Sequence, residues 1–164
     1  MIVRRARTGD VKAIRDLVDT YTTDRRLLSK ATVTLYESVQ EFWVAADEDD
    51  RVVGCGALHV MWEDLAEIRT VAVDPSRRGQ KIGHRIVAAL LDQARELGVA
   101  RVFCLTFETR FFGSFGFTEI DGAPVPHSVY EQLLRSYDEG VAEFLDLERV
   151  KPNTLGNTRM LLHL

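Results

Sequence analysis

Val71-Ala-Val-Asp-Pro-Ser-Arg-Arg-Gly-Gln-Lys-Ile-Gly-His84 is the stretch whose reading decides the fold of this chain. An apolar strand runs into a short basic turn containing glycine. The turn opens directly onto a long amphipathic helix. The first N–H groups of a helix have no partner within it, and the helix dipole adds partial positive charge there. Arg77, Arg78 and Lys81 stand beside them in the sequence. This pattern predicts a site for a phosphorylated ligand, hence a coenzyme. No Gly-Lys-Ser/Thr appears, which excludes a nucleotide-binding P-loop.

Working outward, the helix is expected over Ile82–Leu97. Ile82, Ile86, Ala89, Leu90 and Leu97 mark its buried side, and Gly98 is its stop signal. Such a helix is about 24 Å long. Upstream, Glu67–Val73 reads as a strand that Pro75 terminates. Val52–Met61 is a strand whose middle Gly54 and Gly56 weaken. Asp47–Asp50 reads as a solvated hairpin tip, and Phe42–Ala46 as the strand before it. A first helix is expected at Val11–Tyr21, a polar loop at Thr22–Ser29 and a second helix at Thr32–Gln40. Downstream come a strand at Val102–Phe107, a short helix at Phe111–Phe115 and a strand near Thr118–Ile120. A helix at Ser128–Tyr137, a loop at 151–157 and a strand at Arg159–Leu164 follow. The order predicts one mixed α/β domain over residues 1–164, with helices flanking a largely antiparallel sheet.

Composition sets the boundaries. The chain has 164 residues, 46% hydrophobic and 28% charged, as expected for a single ordinary globular core. A net charge of −4 argues against a general nucleic-acid role. No apolar run reaches membrane-spanning length, and Met1–Arg7 lacks a signal-peptide core, so a cytoplasmic location is expected. Cys55 and Cys104 sit singly in apolar runs and read as buried, reduced thiols. The four histidines are scattered, and no metal site is expected. The sequence leaves a homodimer open.

The element order and three motifs resemble the GNAT acetyltransferases, which use acetyl-CoA. Arg78-Gly-Gln-Lys-Ile-Gly83 resembles the family's Arg/Gln-x-x-Gly-x-Gly/Ala turn, with Lys81 where glycine is usual. A lysine there can still present its N–H to phosphate if its φ is negative. Phe111-Phe-Gly-Ser-Phe-Gly-Phe117 resembles the segment along the pantetheine arm, with Phe112 where many members carry a tyrosine acid. Glu67–Val73, Leu27-Leu-Ser-Lys30, Thr34–Glu37 and Asn157–Leu162 resemble bacterial N-acetylglutamate synthases, closest to their short, single-domain form.

The resemblance implies acetyl transfer from acetyl-CoA to the α-amine of L-glutamate, the first step of arginine biosynthesis. It makes Glu67 the general base, since the attacking amine must be neutral. Spacing alone leaves Glu67 equally readable as a surface strand glutamate paired with Arg69. A bulge in the fourth strand would free the Val71 N–H for the oxyanion. Thr106 falls where related synthases place a serine and could donate to the leaving thiolate, or be an ordinary strand threonine. Coenzyme contacts are implied for Val71, Val73, Arg78, Gly79, Gln80, Lys81, Ile82, Gly83, His84 and Phe112. Substrate contacts are implied for Leu28, Lys30, Arg69, Thr158 and Arg159, because two carboxylates call for cations. Lys30 stands where the synthases carry an arginine. Cys104 is a candidate nucleophile, but an apolar strand disfavours thiolate, so direct amine attack is expected. Two other readings stay open. One is a GNAT acting on another amine, such as another amino acid, a protein N-terminus, a polyamine or an antibiotic. The other is a non-catalytic acetyl-CoA sensor.

Overall fold

A computed structural model describes residues 1–22 and 30–164. The seven-stranded sheet has the order β1-β2-β3-β4-β5-β7-β6. Its strands are β1 (Ile2–Arg5), β2 (Phe42–Ala46), β3 (Val52–Trp62), β4 (Leu65–Val73), β5 (Arg101–Thr106), β6 (Thr118–Glu119) and β7 (Thr158–His163). The helices are α1 (Val11–Thr22), α2 (Thr32–Glu37), α3 (Ile82–Leu97), α4 (Thr109–Gly113), α5 (His127–Leu133), α6 (Glu139–Phe144) and α7 (Lys151–Thr154). The pair β4/β5 is parallel, while β1/β2, β2/β3, β5/β7 and β6/β7 are antiparallel. The mixed, mostly antiparallel sheet with flanking helices is the expected fold class. Two compact units share the chain: Met1–His59 with Ile68–Gly98, and Val60–Glu67 with Val99–Leu164.

In the first unit, side chains alternate across β3. Cys55 faces one way, into a core with Val11, Ile14 and Val18 of α1, Leu35 of α2, and Val44 and Ala72. Gly54 and Gly56 face the other way, beneath α3. A β-carbon on Gly54 would lie 2.8 Å from Ile86, and one on Gly56 2.8 Å from Ile86 and 3.1 Å from Leu90. The glycines are therefore not a weakness of the strand. They let α3 lie directly on its backbone. Each fully buried aliphatic on these faces contributes about 1.5–3 kcal/mol. Trp43 Nε1 donates to Gln93 Oε1 at 2.6 Å and ties β2 to α3.

The second unit is built on β5 and β7, in register from Arg101↔His163 to Thr106↔Thr158. Its core gathers Met61, Leu65, Phe103, Leu133, Val141, Phe144, Leu145 and Leu161. The Phe103 and Phe144 rings meet edge to face at 5.1 Å.

Several boundaries differ from the sequence reading. The second helix stops at Glu37, and a 3-10 turn covers Val39–Glu41. Strand β4 begins at Leu65 rather than Glu67. The 151–157 loop contains a helical turn, with Pro152 at its start, where the missing N–H is harmless. Helix α6 was not expected. Asp138 caps its start, accepting the Val141 N–H at 3.0 Å. The Asp47–Asp50 tip is not wholly solvated. Asp47 is buried, accepts the N–H groups of Asp49 and Arg51, and takes Arg77 Nη2 at 2.9 Å.

Candidate active site

The basic turn starts where β4 ends. Asp74 Oδ1 accepts the Ser76 N–H at 2.9 Å and the Ser76 hydroxyl at 2.8 Å. This pins a 3-10 turn over Pro75–Arg77. Arg77 Nη2 donates to Asp47 Oδ2 at 2.9 Å. Arg78, Gly79, Gln80 and Lys81 are exposed. Gly79 has φ +84°, and nothing lies within 4 Å of where its β-carbon would be. Ile82 is buried and anchors the first turn of α3; Gly83 is half-buried and His84 exposed.

Lys81 corrects an expectation. Its φ is +58°, the left-handed region that glycine occupies freely, and it is the residue preceding α3. The glycine usual at this place in the family thus has a physical reason. The lysine adopts the same conformation at a cost of about 1–2 kcal/mol and adds an exposed cation.

Strand β4 carries a second left-handed residue. Thr70, buried at 6% exposure, has φ +58° inside the strand. For a β-branched residue this is a true outlier, costing about 1–3 kcal/mol. Such a residue kinks a strand and breaks its regular ladder, as in a bulge. Val71, the expected oxyanion donor, is the next residue; it is half-buried, as is Val73. Arg69 and Lys30 are also half-buried. Leu28 lies outside the described residues.

In the second unit Glu67 is 3% exposed and pairs with Phe103 in the parallel ladder. It is not a solvent-facing strand glutamate. Carboxylates are rarely buried without a purpose, because desolvation penalises their charge. Burial, and then the Glu67 carboxylate, push the Cys104 thiol far above its usual range. Cys104 is therefore held protonated and is a poor nucleophile. Thr106 is buried; its Oγ1 accepts the Glu108 N–H at 2.8 Å. A hydroxyl that accepts there still has its proton to donate. Thr106 stands opposite Thr158 across β5/β7, so two of the expected site residues are brought together.

Arg159 and Phe112 have partners within the fold. Arg159 Nη1 donates to the Glu143 carbonyl at 2.7 Å, and Nη2 to the Gly122 carbonyl at 2.8 Å and to the Phe144 carbonyl. Its guanidinium thus caps the C-terminal end of α6, where the Glu143 carbonyl also accepts the Asp146 N–H at 3.1 Å. It also sits over the Phe103 ring at 5.1 Å. Burial lowers its pKa from the usual range. These contacts engage both terminal nitrogens of Arg159. Phe112 is 6% exposed and packs edge to face with Phe111 at 5.0 Å and Phe117 at 5.4 Å. It props the α4 segment and offers almost no surface to a coenzyme. Sequence reasoning missed the left-handed Thr70.

Among the described residues, no group of three or more His, Cys, Asp or Glu could hold a metal ion. No helix there is long and apolar enough to cross a membrane.

A helix-start turn with exposed cations follows a strand with a left-handed kink, an arrangement suited to a phosphorylated coenzyme. The family model for the acetyltransferase (GNAT) family matches residues 11–117, and the chain belongs to that family. It is an enzyme that uses acetyl-CoA as its acyl donor. The Amino-acid acetyltransferase of Mycobacterium tuberculosis H37Rv is 64% identical over 163 residues, spanning 98% of this chain and 93% of its own. The crystal structure of Rv2747 from M. tuberculosis in complex with CoA and NLQ superposes with a TM-score of 0.97 at 64% identity, covering 100% of this chain and 99% of that one. The Amino-acid acetyltransferase of Neisseria meningitidis serogroup A is 30% identical over 128 residues, and the match spans only 29% of its length. The turn fits such a donor. Exposed cations, an open glycine and the start of a sixteen-residue helix suit a pyrophosphate.

Proposed function

We propose that this enzyme acetylates the α-amine of L-glutamate, the reaction that opens arginine biosynthesis, by direct attack of the amine on the thioester. The observation that carries the reading is Glu67, a carboxylate at 3% exposure on β4. The resemblance of Glu67–Val73 to the synthases' fourth strand, and the 64% identity to a protein named Amino-acid acetyltransferase, support the acceptor class.

Each residue has a role in this account. Glu67 accepts the proton of the incoming ammonium, directly or through one water, and leaves a neutral amine to attack. The Val71 N–H receives the charge that develops on the thioester oxygen. Thr106 donates its hydroxyl hydrogen to the departing sulfur. Arg78, Lys81 and the N–H groups of Ile82, Gly83 and His84 hold the donor's phosphates, and Gly79 and Gln80 give the backbone close approach. Lys30 and Arg69 attract the substrate carboxylates, and Thr158 adds a hydroxyl. Cys104, protonated, takes no part.

One observation favours a second acceptor, glutamine. With Arg159 spent on backbone carbonyls, fewer cations remain for a second carboxylate, and an amide side chain asks for none.

The test of the mechanism is Glu67→Gln. Turnover of acetyl-CoA with glutamate should fall by roughly 10²–10⁴ if Glu67 is the base. Near-normal turnover at neutral pH would remove it from the role.

A further inference from the structure

Cys55 is fully buried on β3, outside every group assigned a chemical role above. Its Sγ donates to the Thr70 carbonyl at 3.5 Å. One side chain therefore holds the peptide unit that precedes Val71. It does so at the point where left-handed Thr70 interrupts the strand.

The geometry has a direct consequence. A trans peptide is planar, and its C=O and N–H point in opposite directions. The Thr70 carbonyl and the Val71 N–H belong to one such plane. Turning that carbonyl toward Cys55 turns the Val71 N–H away from it. An ordinary core cysteine needs no such contact.

We propose that Cys55 is a positioning residue for acetyl transfer: its thiol clamps the Thr70–Val71 peptide plane and aims the Val71 N–H at the thioester oxygen. This rests on the reading of that N–H as the oxyanion donor. The clamp requires the S–H to be retained as a donor. Burial supplies this, pushing the Cys55 thiol up to about 12. The contact is weak. It acts in a dry site, on a backbone whose regular pairing the kink has disturbed.

The experiment compares wild type with Cys55→Val and Cys55→Ser. Valine fills the space but cannot donate to the Thr70 carbonyl, whereas serine keeps a donor on a shorter arm. A purely structural role ranks valine above serine in every property. The clamp predicts a crossover: valine has the higher Tm, serine the higher kcat. Cys55→Val should lose about 5–30-fold in kcat, part of the roughly 10²–10³ that loss of an oxyanion donor costs. Its KM for acetyl-CoA should stay within about twofold of wild type. The second readout is the ¹³C shift of [1-¹³C]acetyl-CoA bound without an acceptor. Wild type should polarise the carbonyl, valine should relax it, and serine should restore part of it. Equal kcat and equal carbonyl shift in wild type and Cys55→Val overturn the clamp while leaving the Val71 reading standing. An unpolarised carbonyl in wild type overturns the Val71 reading, and the clamp with it. If Cys55→Val does not fold, Cys55→Ala is read by the same two measurements.

Discussion

Ile82 Cγ2 stands 2.7 Å from the place a β-carbon on Gly54 would occupy. Ile82 is the first residue of α3, so the glycine in β3 sets how deeply the start of that helix is seated. Alanine at 54 would also meet Ile86 at 2.8 Å, and both contacts are shorter than real β-carbons show. The helix start must then lift, and with it the N–H groups proposed to hold phosphate. Gly54→Ala should cost about 1–3 kcal/mol of stability. It should raise the KM for acetyl-CoA several-fold and leave the KM for the amino acid nearly unchanged. Denaturant melts and initial rates check both; an unchanged KM for acetyl-CoA would separate the glycine from coenzyme binding.

Lys81 adopts a backbone conformation that favours glycine. Lys81→Gly relieves roughly 1–2 kcal/mol of strain and adds back about 0.5–1 kcal/mol of unfolded-state entropy. Its stability should match or slightly exceed wild type. Lys81→Val should be less stable than wild type by about 1 kcal/mol, because branching worsens the same conformation. Both variants lose the cation, so both should bind CoA more weakly, and more so at low salt. Chemical denaturation and CoA titration at two ionic strengths separate the two effects.

Arg159→Met keeps the apolar stem of the side chain but removes the guanidinium donor from the carbonyls of Gly122, Glu143 and Phe144; Glu143 keeps the Asp146 N–H. The loss should be about 1–3 kcal/mol, the cost of losing charge-assisted hydrogen bonds. The folded fraction should keep a near-normal KM for the amino acid. A large rise in that KM with little loss of stability would place Arg159 in the substrate site.

Arg4 grips Asp10 through two contacts, at 2.8 and 3.1 Å. The Arg4 hydrogen bond holds the Asp10 carboxyl below its ordinary value of 3.8. A carboxyl lowered in the folded state stabilises fully above the unfolded value and loses that effect as pH falls through the lower folded one. Wild type should therefore melt above Asp10→Asn by a constant margin at neutral pH. The margin should shrink as pH drops below 3.8. A margin independent of pH down to 2 would contradict this.

The parts of the fold most legible in the sequence were those with a strong period and a physical stop. Helix α3 has its apolar stripe and Gly98, whose φ of +84° ends it as expected. Helix α6 was not legible. It is short, and its buried residues include Gly140 and Ala142, which give no apolar stripe. What fixes it lies elsewhere: Asp138 at one end and Arg159 at the other. The backbone contacts of Arg159 were not legible for the same reason, since a cation that serves backbone carbonyls leaves no partner in the sequence. Glu67 could be picked out by motif, but alternation along a strand does not reveal that both faces are covered. The left-handed Thr70 and the Cys55 contact were invisible because backbone dihedrals and a sulfur contact with a backbone carbonyl have no sequence pattern. The left-handed φ of Lys81 was readable in principle, from the glycine it replaces.

The most direct test of the central claim is the rate of thiol release from acetyl-CoA with each of glutamate, glutamine, aspartate, a polyamine and an N-terminal peptide as acceptor. The account predicts the highest kcat/KM with L-glutamate, and none with the cationic amines. A preference for a polyamine or a peptide, or no release with any amino acid while CoA still binds, would contradict it.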